Sequence, residues 1–265
     1  MPASSRWGAA GTTLGQPPPD RLTGVLHPSA ASSEPISITV PTPDGAMPAH
    51  LWLPAAGTGP GLVLVQEIFG VTGYIAARAA DLAGLGYVVC APEVYWRLPA
   101  PGIDPDGDAL AQGVALAQQV DWDLATADVV ATLDHLRQRP EVEGGVGLVG
   151  FCFGGGLAFS AAAADDPDLL VSYYGSALPQ LLGLASQVTA PSLHHFGLDD
   201  AYIPVDQVEA IRAAVLRPGV RFETYAGAGH AFDNPDPAFH HPEASAAAWV
   251  TTVSFLADRL PVLPR

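Results

Sequence analysis

The sequence predicts a single α/β domain, with a mostly parallel sheet and helices on both of its faces. Two observations predict this fold. Short, continuous apolar runs are typical of strands that are buried on both sides, and helix-like segments separate these runs along the chain. The 265 residues, of which 49% are hydrophobic, can bury one sizeable core. Because sites in such sheets form beyond the carboxyl ends of the strands, we expect functional side chains there.

The predicted domain covers residues 35–265 and follows an N-terminal extension over residues 1–34. The extension is rich in Gly, Pro, Ser and Ala and shows neither helical nor strand periodicity, which predicts a flexible segment. A hairpin then opens the domain, because residues 36–40 and 49–53 have strand-like patterns and residues 43–45 are Pro-Asp-Gly, a turn sequence.

The remaining elements alternate between strands and helices. Continuous apolar runs predict the buried strands, and apolar residues at helical spacing predict the segments between them. The predicted strands are residues 62–66, 87–91, 146–150, 169–174, 192–196 and 221–225, and the predicted helices are residues 74–85, 109–120, 122–139, 205–215 and 243–260, with an additional Ala-rich helix after residue 155.

Charge and residue usage exclude several function classes. The formal net charge is −16, and all 11 basic residues are arginines. The shortage of positive charge disfavours nucleic acid and anionic membranes as partners. The absence of lysine excludes Schiff-base amines and the lysine of a P-loop. The sequence contains neither a long apolar run nor a signal-peptide pattern, and two cysteines cannot build a disulfide framework, so we expect a cytoplasmic protein with reduced cysteines.

A candidate nucleophile stands where a predicted strand meets a predicted helix. Residues 150–154 read Gly-Phe-Cys-Phe-Gly, which has the G-x-nucleophile-x-G form of a tight strand-to-helix turn. A helix N-terminus would favour the thiolate of Cys152 over its thiol, and the N–H group of Phe153 could hold an oxyanion. The alternative is that Cys152 is a small buried residue at a glycine-rich junction.

Candidate partners of this cysteine follow later strands, in the chain order nucleophile, acid, base that α/β-hydrolases use. Asp199 and Asp200 come after the strand at residues 192–196, and His230 comes after the strand at residues 221–225. Either aspartate could reach an imidazole from that turn, so these two residues cannot be distinguished by this argument.

The other histidines are weaker candidates for the base. His240 and His241 lie in a predicted loop before the last helix, where they could be surface residues or a metal-binding pair. No third ligand has suitable spacing, so we expect neither a metal site nor an organic cofactor. The remaining histidines fall in the extension, in strands or in a helix, and are His27, His50, His135, His194 and His195.

Two further segments reach the same predicted edge of the sheet. Glu67 ends a buried strand, where it could pair with Arg78 or cap a helix, but its place beside the expected second oxyanion donor favours an active-site role. In the loop after the next strand, Tyr95 and Trp96 could line a pocket or pack the loop. Arg97 could be a solvated surface charge or could bind an anionic group of a substrate.

Four segments together resemble the dienelactone hydrolase family of the α/β-hydrolase superfamily, and the resemblance covers about residues 36–260. By this resemblance Cys152 is the nucleophile, His230 is the base and Asp200 is the acid that orients it. The four segments are residues 66–71 (Gln-Glu-Ile-Phe-Gly-Val), 150–155 (Gly-Phe-Cys-Phe-Gly-Gly), 197–204 and 228–232 (Ala-Gly-His-Ala-Phe).

The resemblance also assigns roles around the triad. Glu67 matches the family's active-site glutamate, which is thought to interact with the nucleophile. The backbone amides of Ile68 and Phe153 match its oxyanion donors. Phe232, which lies in the same segment as His230, is a further candidate for substrate binding, together with Tyr95 and Trp96.

The chain departs from the family at the substrate carboxylate. Characterised members bind this carboxylate with two arginines, of which Arg97 matches the first. The second is expected four residues after the histidine, where this chain has Asn234 beside Asp233. We therefore expect weakened carboxylate binding and a neutral or differently shaped substrate. A carboxylated lactone remains the alternative, with Arg97 alone or with Arg78 holding its carboxylate.

The sequence as a whole predicts a carboxylic ester hydrolase that cleaves a small ester or lactone through a Cys-His-Asp triad and a thioester intermediate. We expect it to act as a monomer or homodimer. The alternative from another class is a ligand-binding or thiol-redox member of the same fold without hydrolase activity. A redox role would need a partner thiol, and Cys90, in a predicted buried strand, is poorly placed for it.

Overall fold

A computed structural model describes residues 34–99, 102–103 and 107–263. The predicted extension over residues 1–34 lies outside the described residues except for its last residue, so its boundary stays a prediction. The described strands form one eight-stranded sheet in the order β1-β2-β4-β3-β5-β6-β7-β8. They are β1 (Ile36–Thr42), β2 (Gly45–Trp52), β3 (Gly59–Val65), β4 (Val88–Pro92), β5 (Val142–Phe151), β6 (Leu170–Tyr173), β7 (Ser192–Gly197) and β8 (Val220–Tyr225).

The predicted α/β class with a mostly parallel sheet is confirmed. The antiparallel pairs are β1 with β2, which is the predicted hairpin, and β2 with β4, whereas β3 to β8 pair with their neighbours in parallel. Two short 3-10 turns, at Leu178–Gln180 and Leu182–Leu184, were not predicted. The helices of the described part are α1 (Gly73–Gly84), α2 (Ala109–Ala117), α3 (Trp122–Arg137), α4 (Phe153–Ala164), α5 (Val205–Val215) and α6 (Pro242–Arg259).

The apolar runs form strands because helices cover both faces of the central sheet. Every residue of β3, β4, β6 and β7 is buried. Helices α3 and α4 pack against each other, and α1 meets α6 where the Arg78 guanidinium lies 4.8 Å from the centroid of the Trp249 ring. No helix in the described ranges is both long and apolar enough to cross a membrane.

The end of α2 differs from the prediction for a local reason. Asp121 is the N-cap of α3, and its Oδ1 accepts hydrogen bonds from the N–H groups of Asp123 at 3.1 Å and Leu124 at 3.0 Å. An N-cap residue needs non-helical backbone. The chain therefore leaves the helical conformation between the two helices, and α2 ends at Ala117 instead of at residue 120.

Candidate active site

Cys152 lies at the sharp turn between β5 and α4. Its φ of 53° is unusual for a residue with a side chain, and flanking glycines make room for the turn. A Cβ atom on Gly150 would lie 2.2 Å from the carbonyl oxygen of Gly154, and a Cβ atom on Gly154 would lie 2.4 Å from the carbonyl oxygens of Val65 and Gln66. The glycines thus allow the nucleophile candidate to stand directly above the end of β3.

His230 and Asp200 meet Cys152 at this edge of the sheet. His230 Nε2 lies 3.0 Å from Cys152 Sγ, and His230 Nδ1 lies 2.7 Å from Asp200 Oδ2. The other carboxylate oxygen of Asp200 accepts hydrogen bonds from the N–H groups of Tyr202 and Ile203. Asp200 is buried, whereas its neighbour Asp199 is exposed. The structure therefore brings Asp200, and not Asp199, to the imidazole.

The environment of His230 favours its protonated form. Burial opposes a positive charge on the ring, but the Cys152 sulfur and the hydrogen bond with Asp200 outweigh burial and raise the pKa of His230 from 6.5 to about 10. The rings of Tyr174 and Tyr202 also pack edge-on against the imidazole, with 5.3 Å and 5.2 Å between the ring centroids. This arrangement favours the imidazolium form of the ring.

The two residues whose backbone N–H groups are the predicted oxyanion donors, Ile68 and Phe153, lie in segments next to Cys152. Phe153 is the first residue of α4, so its N–H group has no acceptor within the helix. Ile68 lines the cavity that contains Cys152. The carbonyl oxygen of Glu67, in the same peptide unit as the Ile68 N–H, accepts hydrogen bonds from Gly70 N at 3.2 Å and from Gln66 Nε2 at 3.4 Å. These bonds fix the orientation of that peptide unit.

Glu67 is a buried acid in the wall of the same cavity, and only 1% of it is exposed. Its Oε2 accepts a hydrogen bond from Asn234 Nδ2 at 2.9 Å, while its Oε1 is buried without a hydrogen-bond partner in the described part of the chain. Burial raises the pKa of Glu67 from 4.5 to about 7, although the Asn234 hydrogen bond opposes the rise. The carboxyl is therefore partly protonated near neutral pH.

The structure places Arg97 and Trp96 away from this cavity, contrary to the expectation of substrate contacts. Arg97 binds Asp128 of α3 and, at 2.8 Å, Asp44 of the hairpin turn, and its guanidinium lies over the Trp96 ring. Trp96 Nε1 donates a hydrogen bond to Asp128 at 2.9 Å. Two carboxylates thus already neutralise this arginine. Arg97 instead lines a separate cavity beside α3.

Tyr95 and Phe232 support the site from behind instead of lining it. The Tyr95 hydroxyl donates a hydrogen bond to the carbonyl oxygen of Ile68 at 2.9 Å. Phe232 is fully buried, and its ring packs edge-on against Tyr174, with 5.2 Å between the centroids. Both residues therefore contact elements that hold catalytic candidates, and neither is among the residues that line the cavity.

Arg78 pairs with Asp233 and not with Glu67, the partner considered for it from the sequence. Its Nε and Nη2 each donate a hydrogen bond to Asp233 at 2.8 Å. The buried Asp233 also accepts hydrogen bonds from Tyr74 at 2.5 Å and from Ser245 at 2.7 Å. This pair ties the segment after His230 to α1 and α6. Arg78 is therefore engaged and is not placed to hold a substrate carboxylate.

Three further histidines and the second cysteine lie in environments that are typical of structural residues. Burial lowers the pKa of both His194 and His195, in β7, to about 3, and His241 caps α6 through its Nδ1. Cys90 is buried and not bonded to Cys152, and burial raises its pKa to about 12. Within the described residues there is no group of three or more His, Cys, Asp or Glu that could hold a metal ion.

The cavity around Cys152 has a volume of about 170 Å³ and is lined mainly by apolar side chains. Sequence reasoning missed most of these. Leu110 and Val114 on α2 had a signal, since they are apolar residues four positions apart on one face of a short helix. Phe69, Tyr202 and Ala231 also had a signal, since they lie in the segments that carry the family resemblance. No such signal marks Ser176 and Phe239, which come from other loops. The missed lining residues are Phe69, Leu110, Val114, Ser176, Tyr202, Ala231 and Phe239.

Comparisons with known proteins identify the family of the chain. The model of the dienelactone hydrolase family matches residues 47–260. Carboxymethylenebutenolidase from Pseudomonas sp. (strain P51) is 35% identical over 222 residues, which cover 82% of this chain and 92% of that protein. The enzyme of the same name from Pseudomonas putida is 33% identical over 207 residues, covering 77% and 88%. The solved structure of a candidate dienelactone hydrolase from Klebsiella pneumoniae superposes with a TM-score of 0.74 and 28% identity, covering 84% of this chain and 98% of that one.

Proposed function

The chain belongs to the dienelactone hydrolase family and is a hydrolase of the carboxylic ester type, and from this premise we propose that it cleaves a neutral ester or lactone through Cys152, His230 and Asp200. The position of the His230 ring carries the proposal. Its two nitrogens lie within hydrogen-bond distance of the Cys152 sulfur and of an Asp200 carboxylate oxygen. This is the geometry that a nucleophile, a base and an orienting acid require.

In the proposed first step, the thiolate of Cys152 attacks the carbonyl carbon of the ester. The N–H groups of Ile68 and Phe153 bind the oxyanion of the tetrahedral intermediate. As the intermediate collapses, the bond to the leaving oxygen breaks and the His230 imidazolium protonates that oxygen. An alcohol leaves, or the lactone ring opens, and the acyl group remains on Cys152 as a thioester.

In the second step, His230 is a neutral imidazole and removes a proton from water as the water oxygen attacks the thioester. The second tetrahedral intermediate expels the Cys152 thiolate, which releases the acid product and restores the imidazolium. Asp200 holds one tautomer of His230 through both steps. The balance is one ester and one water converted to one acid and one alcohol.

The charge of the site supports a neutral substrate. The Pseudomonas relatives are named carboxymethylenebutenolidase, after a lactone that bears a carboxylate. In this chain Asn234 stands where a second arginine was expected, while Arg97 and Arg78 are paired with aspartates. No arginine is among the described residues that line the Cys152 cavity. A substrate carboxylate would lose its hydration there without gaining a cationic partner.

The test is hydrolysis of a panel of dienelactone, neutral aryl acetates and neutral lactones by the native protein and by single variants. Cys152→Ala and His230→Ala should abolish the hydrolysis of neutral esters, whereas Cys90→Ala, which removes the other thiol, should retain it. Hydrolysis that survives Cys152→Ala would refute the triad. A strong preference for dienelactone over every neutral substrate would instead favour the carboxylated-lactone alternative.

A further inference from the structure

A second cavity adjoins the one that contains Cys152. It has a volume of about 410 Å³, and the two cavities share the side chains of Phe69, Leu110 and Phe239 as a common wall. They are also linked by a hydrogen bond, because Asn234, which lines the second cavity, donates to Glu67, which lines the first. The second cavity is therefore continuous with the walls of the candidate active site.

Four polar side chains line the second cavity, and two of them, Tyr74 and Asn234, are engaged with the protein itself; the other two are Thr72 and Asp236. The Tyr74 hydroxyl donates to Asp233 at 2.5 Å. The Asn234 amide group donates to Glu67, and its oxygen accepts from the N–H of Asp236 at 3.0 Å. Because these groups already have partners, the surface left for a ligand is mainly that of the aromatic and aliphatic side chains. Those side chains are Phe69, Ile103, Ala109, Leu110, Ala238 and Phe239.

The first cavity is too small to enclose a large substrate. Its volume is about 170 Å³, close to the size of an apolar cavity, about 150 Å³, that holds one benzene molecule. Around its mouth the protein exposes three large apolar side chains, with Leu110 and Val114 each 38% exposed and Tyr202 58% exposed. Apolar groups that cluster at the opening of a site mark a surface that an apolar ligand covers.

Helix α2 forms one wall of both cavities because it lies very close to the segment that holds an oxyanion donor. A Cβ atom on Gly113 would lie 3.1 Å from side-chain atoms of Ile68 and Phe69. A side chain at this position would push Ile68 and Phe69 away by a few tenths of an ångström. The approach sets Leu110 and Val114, on the same face of α2, over the Cys152 cavity. The position of the helix thus defines the space on both sides of the reacting carbonyl.

We propose that the second cavity is the subsite for an apolar chain of the ester, so that the preferred substrates are neutral esters with an apolar group on each side of the scissile carbonyl. One group occupies the Cys152 cavity, and the other crosses Phe69, Leu110 and Phe239 into the second cavity. This inference rests on the proposed ester hydrolysis. Each methylene that the second cavity covers should raise kcat/KM about threefold to fourfold.

The experiment lengthens the chain on either side of the carbonyl, in 4-nitrophenyl esters from acetate to octanoate and in acetate esters from methyl to hexyl. In at least one series kcat/KM should rise with chain length. Ala109→Trp, which fills the second cavity from an exposed position, should abolish that rise. Ala115→Trp, at an exposed position of the same helix that lines neither cavity, is the matched control and should keep the rise.

Charge at the far end of the chain gives a second readout. Asp236 lines the second cavity, and no basic residue is among its described lining residues. The 4-nitrophenyl monoester of adipic acid, which ends in a carboxylate, should therefore lose the gain that the hexanoate ester shows. An adipate ester hydrolysed as well as the hexanoate, a flat chain-length profile in both series, or equal effects of the two tryptophan variants would each overturn the inference.

Binding separates this inference from the proposed function. Titration calorimetry of the Cys152→Ala protein with the same esters measures occupancy without turnover. Affinity that rises with chain length, and falls when Ala109→Trp is added, supports the subsite even if the native protein hydrolyses none of the esters, in which case only the proposed function fails. Hydrolysis of acetate esters without such a rise in affinity refutes the subsite and leaves the proposed function standing.

Discussion

Glu67 should destabilise the folded protein at neutral and alkaline pH. Burial raises its pKa from 4.5 to about 7. A group whose pKa is raised by folding contributes stability that is fully present below the unfolded value and is lost as pH rises through the folded value. At about 1.4 kcal/mol per pKa unit, the ionised carboxyl costs the folded state about 3 kcal/mol once pH exceeds 7.

The informative change is Glu67→Gln, which removes the titration and keeps an oxygen to accept the hydrogen bond from Asn234. The unfolding free energy of the variant minus that of the native protein should increase by about 2.5 kcal/mol between about pH 5 and about pH 9. Urea denaturation with linear extrapolation measures both proteins at each pH. Titration of other groups cancels in the difference.

The matched control is Glu209→Gln on α5, where the side chain is exposed. Its stability difference from the native protein should stay constant across the same pH range, within about 0.5 kcal/mol. A Glu67→Gln difference that also stays constant would refute the reasoning, because it would mean that the carboxyl is ionised at no cost in the fold. A difference that decreases with pH would mean that an unseen cation stabilises the carboxylate.

Three further changes test the surroundings of the site. Arg78→Met should destabilise the protein by about 3 kcal/mol or more, because it leaves the buried Asp233 carboxylate without its cation. Adding Asp233→Asn should recover part of this stability. Denaturation of the native protein, the two single variants and the double variant measures the coupling, and additive effects would contradict the pairing. Gly154→Ala should cost about 3 kcal/mol or more through contact with backbone oxygens, whereas Gly183→Ala, which meets no atom within 4 Å, should be neutral within about 0.5 kcal/mol. The raised pKa of His230 keeps the imidazolium protonated as pH rises, so kcat/KM for a neutral ester should decline only near pH 10, and a decline centred near 6.5 would contradict the ion pair.

The strands and the edge of the sheet that holds the site were predictable because both depend on local patterns. Apolar runs became β3, β4 and β6, in which every residue is buried, and β7 is buried throughout although it contains His194 and His195. Cys152, Asp200 and His230 each follow a parallel strand, and parallel strands end at the same edge of a sheet. The topology therefore brings these residues together, although Cys152 and His230 are 78 positions apart in the sequence.

The surroundings of the arginines were not predictable from the same patterns. The sequence places Arg97 at the functional edge, but its orientation depends on Asp128 of α3 and Asp44 of the hairpin turn, which are 31 and 53 residues away. No periodicity encodes such a pairing. Phe239 likewise reaches the cavity from a loop without regular structure. Side-chain contacts between distant segments therefore decide the charge and shape of the pocket, which are the properties that select a substrate.

Position 234 connects the unusual acid to the proposed preference for a neutral substrate. Asn234 brings no positive charge, and its single hydrogen bond lowers the pKa of Glu67 by less than burial raises it. The carboxyl thus stays partly protonated near neutral pH, and the described lining residues of the cavity include no arginine to compensate a carboxylate. Under the proposed mechanism the His230 imidazolium lies between the Cys152 thiolate and the Asp200 carboxylate, so the site has no excess positive charge. A neutral ester enters such a site at little electrostatic cost, whereas an anionic substrate would give up its hydration without gaining a partner. An amide at position 234 therefore leaves burial to dominate the pKa of Glu67 and supplies no cation for a substrate carboxylate.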